Sequence, residues 1–262
     1  IPRLNTLQIH WNFKLHRDIK TPLYQIYHLL IRLHSSTFVK VPTMNTQTCV
    51  AVLTGDIVGS QRLKGPALDR ARSTIQTAAK EVSAWAPDLM PLELEFARGD
   101  SWQLLLTDPS QAFRAALHIR STLLYLCSVD TRVSIGIGQV SSMADTLALS
   151  DGSAFIRSGR GLDAMGKERL SVSLSTPSDT ANWVDLVARL CDVMVRSWTT
   201  RQAELVHAAL QPGTRTHEDI AGALVPVVTK QAVGKGLRAA RWESISDTLA
   251  QFEHTDWPAQ IR

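Results

Sequence analysis

The sequence predicts an α+β chain, with a ferredoxin-like βαββαβ sheet domain first and an all-α helix-turn-helix domain after it. Three observations predict this. Apolar runs of strand character alternate with helix-period segments from residue 49 to 175. Two of those runs are parted only by Gly99-Asp100, a hairpin signal. Beyond Thr176-Pro177-Ser178-Asp179 the strand-like runs end, and residues 198–253 read as three helices joined by short turns.

The first strand is expected over 49–57, in Val50-Ala51-Val52-Leu53-Thr54-Gly55-Asp56-Ile57. Helical spacing follows over 66–82, with Pro66 suited to a first turn. Strands are expected near 92–98 and 101–107, then a helix over 109–126 opened by Asp108-Pro109-Ser110, and a fourth strand in Arg132-Val133-Ser134-Ile135-Gly136-Ile137-Gly138. A helix over 151–165 and a strand at 170–175 complete the domain. Residues 182–197 read as an amphipathic connector helix that packs on both sides. Three helices are then expected over 200–210, 216–224 and 229–241, the second with a capping box at Thr216 and Asp219. The expected division is residues 1–43 as an extension outside the core, 44–180 as the sheet domain, and 181–262 as the connector and helix-turn-helix domain.

Composition excludes some classes of function. With 262 residues and 44% hydrophobic content the chain can bury a substantial core, while no apolar run approaches the length of a membrane span. The net charge of +4 is misleading. Residues 1–43 hold six Lys and Arg against Asp18 alone, leaving 22 Lys and Arg against 23 Asp and Glu in the rest. The main body is therefore no basic nucleic-acid-binding mass, and DNA contact needs a local patch. The basic, acid-poor start also fits a targeting segment, although it lacks an initiating Met and a small-residue cleavage site. Cys49, Cys127 and Cys191 lie far apart in apolar segments, as buried thiols of a cytoplasmic, reducing compartment would. The eight histidines show no metal-ligand spacing.

The most informative residues are Gly55-Asp56 and Gly99-Asp100, whose aspartates lie 44 positions apart. In the expected order the first and third strands are antiparallel neighbours, so Asp56 leaves one strand at the end where Asp100 enters the other. Two convergent carboxylates suit Mg²⁺ or Mn²⁺, ions that take further ligands from nucleotide phosphates. Each Gly-Asp alone also fits a plain turn. Arg98 and Arg160 suit phosphate contacts or solvated ion pairs, and Gly136 and Gly138 suit close ligand approach or a bulge.

On Gly55 through Ser60, Arg98 through Gln103, Arg132 through Gly138, and Ser150 through Phe155 with Arg160, the chain resembles the SatD family. The first domain of that family is similar to the catalytic domain of class III nucleotidyl cyclases. The resemblance implies metal ligation by Asp56, Asp100 and the Ile57 carbonyl, and nucleotide contacts at Arg98, Gly99 and Arg160. Departures stand beside it: Phe96 occupies the place of the base-selecting Lys or Glu, and Ile156 lies where an Asn would precede Arg160 by four. The C-terminal stretch resembles bacterial helix-turn-helix regulators. Its third helix places Lys230, Gln231, Lys235, Arg238 and Arg241 for contact with double-stranded DNA. These features together point to a homodimeric, DNA-binding regulator with a metal-dependent nucleotide sensor. The alternatives are a two-metal cyclase-like enzyme acting on a nucleoside triphosphate, and a scaffold whose aspartates are relics.

Overall fold

The computed structural model describes residues 48–97, 99–176, 179–213 and 215–261. The expected extension over 1–43 lies outside them. The chain folds in the order β1 (Cys49–Ile57), α1 (Gly65–Ser83), β2 (Glu95–Ala97), β3 (Ser101–Leu106), α2 (Ala112–Cys127), β4 (Thr131–Gln139), α3 (Ser153–Ala164) and β5 (Leu170–Leu174). One mixed sheet results, with strands ordered β2-β3-β1-β4-β5. Strand β1 runs antiparallel to β3 and β4 on either side, and β5 is parallel to β4. The expected adjacency of first and third strands is present, with Asp56 opposite Ser101.

The period of two along β1 divides the core. Cys49, Ala51, Leu53 and Ile57 join the buried cluster that includes Ala71, Ile75 and Val82 of α1 and Phe113 and Leu117 of α2. Val50 and Val52 turn the other way and pack with Leu105, Ala154 and Phe155, so α3 covers that face. Its approach is very close. A Cβ on Gly136 would strike the Ala154 carbonyl oxygen, and one on Gly161 would strike the Ser134 hydroxyl. The strand glycine at 136 therefore serves helix packing, neither a ligand nor a bulge.

A buried charge network fixes the far end of α2. Arg120, wholly buried, binds Asp130 through Nε (3.0 Å) and Nη2 (2.8 Å), and its Nη1 lies 2.8 Å from Asp192. Arg169 adds 2.9 Å bonds from its side chain to Asp130 and from its backbone N–H to Asp192. Desolvation opposes ionisation of Asp130, and the Arg120 and Arg169 bonds overcome it, holding the carboxyl below the usual range.

The second half is helical: α4 (Asp179–Val195), α5 (Thr200–Ala209), α6 (His217–Ala223), α7 (Lys230–Ala239), α8 (Trp242–Glu253) and α9 (Trp257–Gln260). Capping boxes open α5 at Thr199 and Gln202 and α6 at Thr216 and Asp219, the second as expected from sequence. Helix α4 corrects one expectation. It buries Ala188, Cys191 and Val195 but leaves Trp183, Leu190 and Val193 exposed, so it packs on one side. Helix α8 carries no sequence signal of its own start, because only Ala240 and the left-handed Arg241 (φ 59°) separate it from α7, with no Gly or Pro to mark the break. Buried residues of α5, α7, α8 and α9, among them Leu205, Leu237, Leu249 and Trp257, belong to the same apolar cluster as the sheet.

Candidate functional site

The two Gly-Asp pairs have different local structures. Gly99 (φ 85°) turns between β2 and β3, whereas Gly55-Asp56 lies within extended β1. Gly55 is required there by packing, since a Cβ would strike the indole of Trp102. That indole is buried and donates from Nε1 to the Thr131 hydroxyl (3.0 Å), which in turn donates to the Asp56 carbonyl oxygen (2.6 Å). Core packing thus holds the backbone on which the Asp56 carboxylate stands.

Asp56 faces Ser101 of β3 on one side and Arg132 of β4 on the other. The Arg132 guanidinium donates from Nε to Asp56 Oδ1 (2.8 Å) and from Nη2 to Oδ2. Its Nη1 donates to the Met165 carbonyl just beyond α3 (3.4 Å). The pair is partly open to solvent, with side-chain exposures of 19% for Asp56 and 32% for Arg132. The Asp56 bond raises the Arg132 pKa first, and the fields of Asp56, Asp100 and Asp163 add to it. Three carboxylates therefore act on one guanidinium. Behind this end the sheet face stays polar: Thr54 pairs with Ser158 (2.8 Å) and receives the Gln103 amide (3.0 Å).

The remaining expected residues separate. The Ile57 side chain belongs to the helix-covered core. Val58 N–H donates to the Asp130 carbonyl (2.9 Å), and Gly59 (φ 71°) then turns the chain into a short 3₁₀ turn over Ser60–Arg62. Arg98 lies outside the described residues. Arg160 is exposed on α3 and its side chain makes no hydrogen bond or ion pair among the described residues. Phe96, expected from the resemblance to occupy the base-selecting place, has the Arg72 guanidinium over its ring at 4.9 Å.

Sequence reasoning assigns no role to Arg132 or Asp163. Arg132 has a signal: it heads the alternation Arg132, Ser134, Gly136, Gly138, which shares a face with Asp56 once β1 and β4 are known to be neighbours. On the helical side, Lys230, Gln231, Lys235, Arg238 and Arg241 are all exposed, and their side chains carry no ion pair or hydrogen bond among the described residues. Trp198 and Trp102 are buried packing residues, with the Trp198 indole donating to the Ala240 carbonyl (2.9 Å).

No protein-family model matches the chain, and no curated protein matches it. Solved structures similar to it include a bacterial light-regulated adenylyl cyclase at 18% identity, over 48% of this chain and 76% of that one, with a TM-score of 0.36. The guanylyl cyclase Cya2 is 14% identical over 48% and 74% of the two chains, with a TM-score of 0.34. The adenylyl cyclase CyaB from P. aeruginosa is 14% identical over 48% and 76%, with a TM-score of 0.33. Likeness at this level assigns neither an activity nor site residues. Among the described residues no helix is long and apolar enough to cross a membrane.

Proposed function

We propose that the Asp56 end of the sheet binds a divalent cation with a nucleoside triphosphate, in a ferredoxin-like domain of cyclase type. The observation that supports this reading is the charge around Arg132. Asp56, Asp100 and Asp163 all raise the Arg132 pKa at a partly open sheet end, a concentration of carboxylates that suits a divalent cation. Asp56 stands opposite Ser101, the neighbour of Asp100, which supports a reading in which both carboxylates supply hard oxygen donors to such an ion. Bound there, Mg²⁺ or Mn²⁺ supplies charge neutralisation for phosphate oxygens.

The work of the chain's own groups follows from this. Arg132 holds Asp56 in place, and its planar fork would suit phosphate oxygens where a cation takes over the carboxylate. The unpaired Arg160 and the exposed Gly99 turn, with Arg98, belong to the phosphate side, and the Ile57 carbonyl is the backbone donor to the metal. Membership of the SatD family and assembly as a homodimer are part of the same reading. Phe96, engaged by Arg72, offers no polar group to a base, so ATP and GTP are expected to bind alike. Calorimetric titration with each nucleotide, with Mn²⁺ or with chelator, and analysis of the products, tests binding and turnover together.

One observation favours a second reading, in which the chain is also a DNA-binding regulator. Helix α7 carries exposed cations free of acidic partners among the described residues, while Gly236 lets it lie against Leu205 of α5. Binding to duplex DNA at low salt tests it.

A further inference from the structure

Three helices bring together a set of metal donors that no spacing in the sequence reveals. Glu81 lies near the end of α1, His118 in the middle of α2 and His207 near the end of α5. Their donor atoms all lie within 4.8 Å of one another. His118 is fully buried, with Nε2 2.8 Å from Glu81 Oε2, and its ring stacks on that of His207 with centroids 4.7 Å apart.

Hydrogen bonding fixes the tautomer of His207. The Thr122 hydroxyl donates its proton to the His118 carbonyl (2.7 Å), so its oxygen accepts from His207 Nδ1–H (3.0 Å). Nε2 of His207 is left with the lone pair. This is how proteins prepare metal-binding histidines, one ring N–H held by an oxygen and the other nitrogen free to ligate. His118 is prepared differently: its Nε2 faces Glu81, and its Nδ1, buried without a partner beside the Trp85 ring at 5.2 Å, would carry the ring proton when Nε2 ligates.

We propose that Glu81, His118 and His207 bind Zn²⁺ and so clasp α5 to α1 and α2. Two imidazoles and a carboxylate match zinc rather than Mg²⁺, which prefers oxygen alone. Bonds of about 2.1 Å place tetrahedral ligands about 3.4 Å apart, so the donors must draw together and the stacked imidazoles, 27° between planes, must turn until both nitrogens face one ion. Glu81, with its side chain 39% exposed, opens the fourth position to water. The clasp would tie the helical second half of the chain to the helices that cover the sheet.

The test uses the untagged full chain, stripped with chelator and titrated with Zn²⁺ by calorimetry, with Co²⁺ absorption as a report of tetrahedral geometry. One ion per chain is expected, together with a higher melting temperature and visible cobalt bands. E81Q and H207Q should each weaken Zn²⁺ binding by more than about tenfold, the lower bound set by losses of outer-shell partners alone. E81Q carries the comparison if H207Q fails to fold, since Glu81 is partly exposed. E218Q, at an exposed carboxylate of α6 outside both sites, should bind Zn²⁺ as the parent chain does. Absence of stoichiometric binding, or equal binding by a folded E81Q, would overturn the proposal.

Discussion

Arg132 stands opposite Asp56 across the β1–β4 ladder, and its guanidinium engages both oxygens of the carboxylate. In the proposed site a cation and this guanidinium would compete for the same oxygens. The pair is partly exposed, so breaking it should cost little stability, on the order of 1 kcal/mol or less. Arg132→Met is therefore expected to tighten binding of Mn²⁺ alone and to weaken binding of the Mn²⁺–nucleotide complex, because the substitution removes a competitor for Asp56 and a phosphate ligand at once. Titrations of the folded variant check this. Parent-like affinities in both would remove Arg132 from the site.

The Arg120–Asp130–Asp192 network should behave differently, because Arg120 has no access to water. Asp130→Ala strands a buried guanidinium and is expected to cost about 3–5 kcal/mol in denaturant unfolding. A loss below about 1 kcal/mol would mean that Asp192 alone compensates Arg120.

Acid should weaken the metal-free protein through the His207 cluster. Burial first, and then neighbouring His118, push the His207 pKa from 6.5 down to about 4. Above pH 6.5 the imidazole is neutral in both folded and unfolded chains. As pH falls from 6.5 towards 4 the unfolded chain takes up a proton that the folded one refuses, so stability is lost across that window. Glu81, held below its ordinary range chiefly by its bond to His118, adds a loss of the same sign at the acid end. H207Q should flatten the fall of melting temperature between pH 6.5 and 4, and an unchanged slope would contradict the assignment.

Much of this architecture is legible in the sequence. Periodicity places β1, β3, β4 and β5 almost at their observed limits, because each strand buries an alternating or continuous apolar set. The expected strand over 92–98 shortens to Glu95–Ala97, where pairing to Ala97, Phe96 and Glu95 is all that β3 offers. What the sequence withholds depends on register and long-range packing. The opposition of Asp56 and Arg132 exists only once β1 and β4 are aligned, and His118 meets His207 only when α5 docks on α2. Neither pairing has a local signature.

If α7 binds DNA, its cations supply the affinity, since residues 44–262 are otherwise slightly acidic. Replacing Lys230 and Lys235 together by Ala is expected to reduce the slope of log affinity against log salt by about 0.9 for each phosphate no longer neutralised. Gln231→Ala should chiefly relax sequence preference. No DNA binding by the parent chain at low salt would end the regulator reading and leave the nucleotide site standing.

Metal-dependent nucleotide binding at Asp56 is decided by calorimetric titration of ATP and of GTP into the parent chain and into D56A, each with Mn²⁺ and with chelator. The parent chain is expected to bind both nucleotides only when Mn²⁺ is present, and a folded D56A to bind neither. Nucleotide binding that survives either chelation or D56A, or no binding by the parent chain, would refute the site.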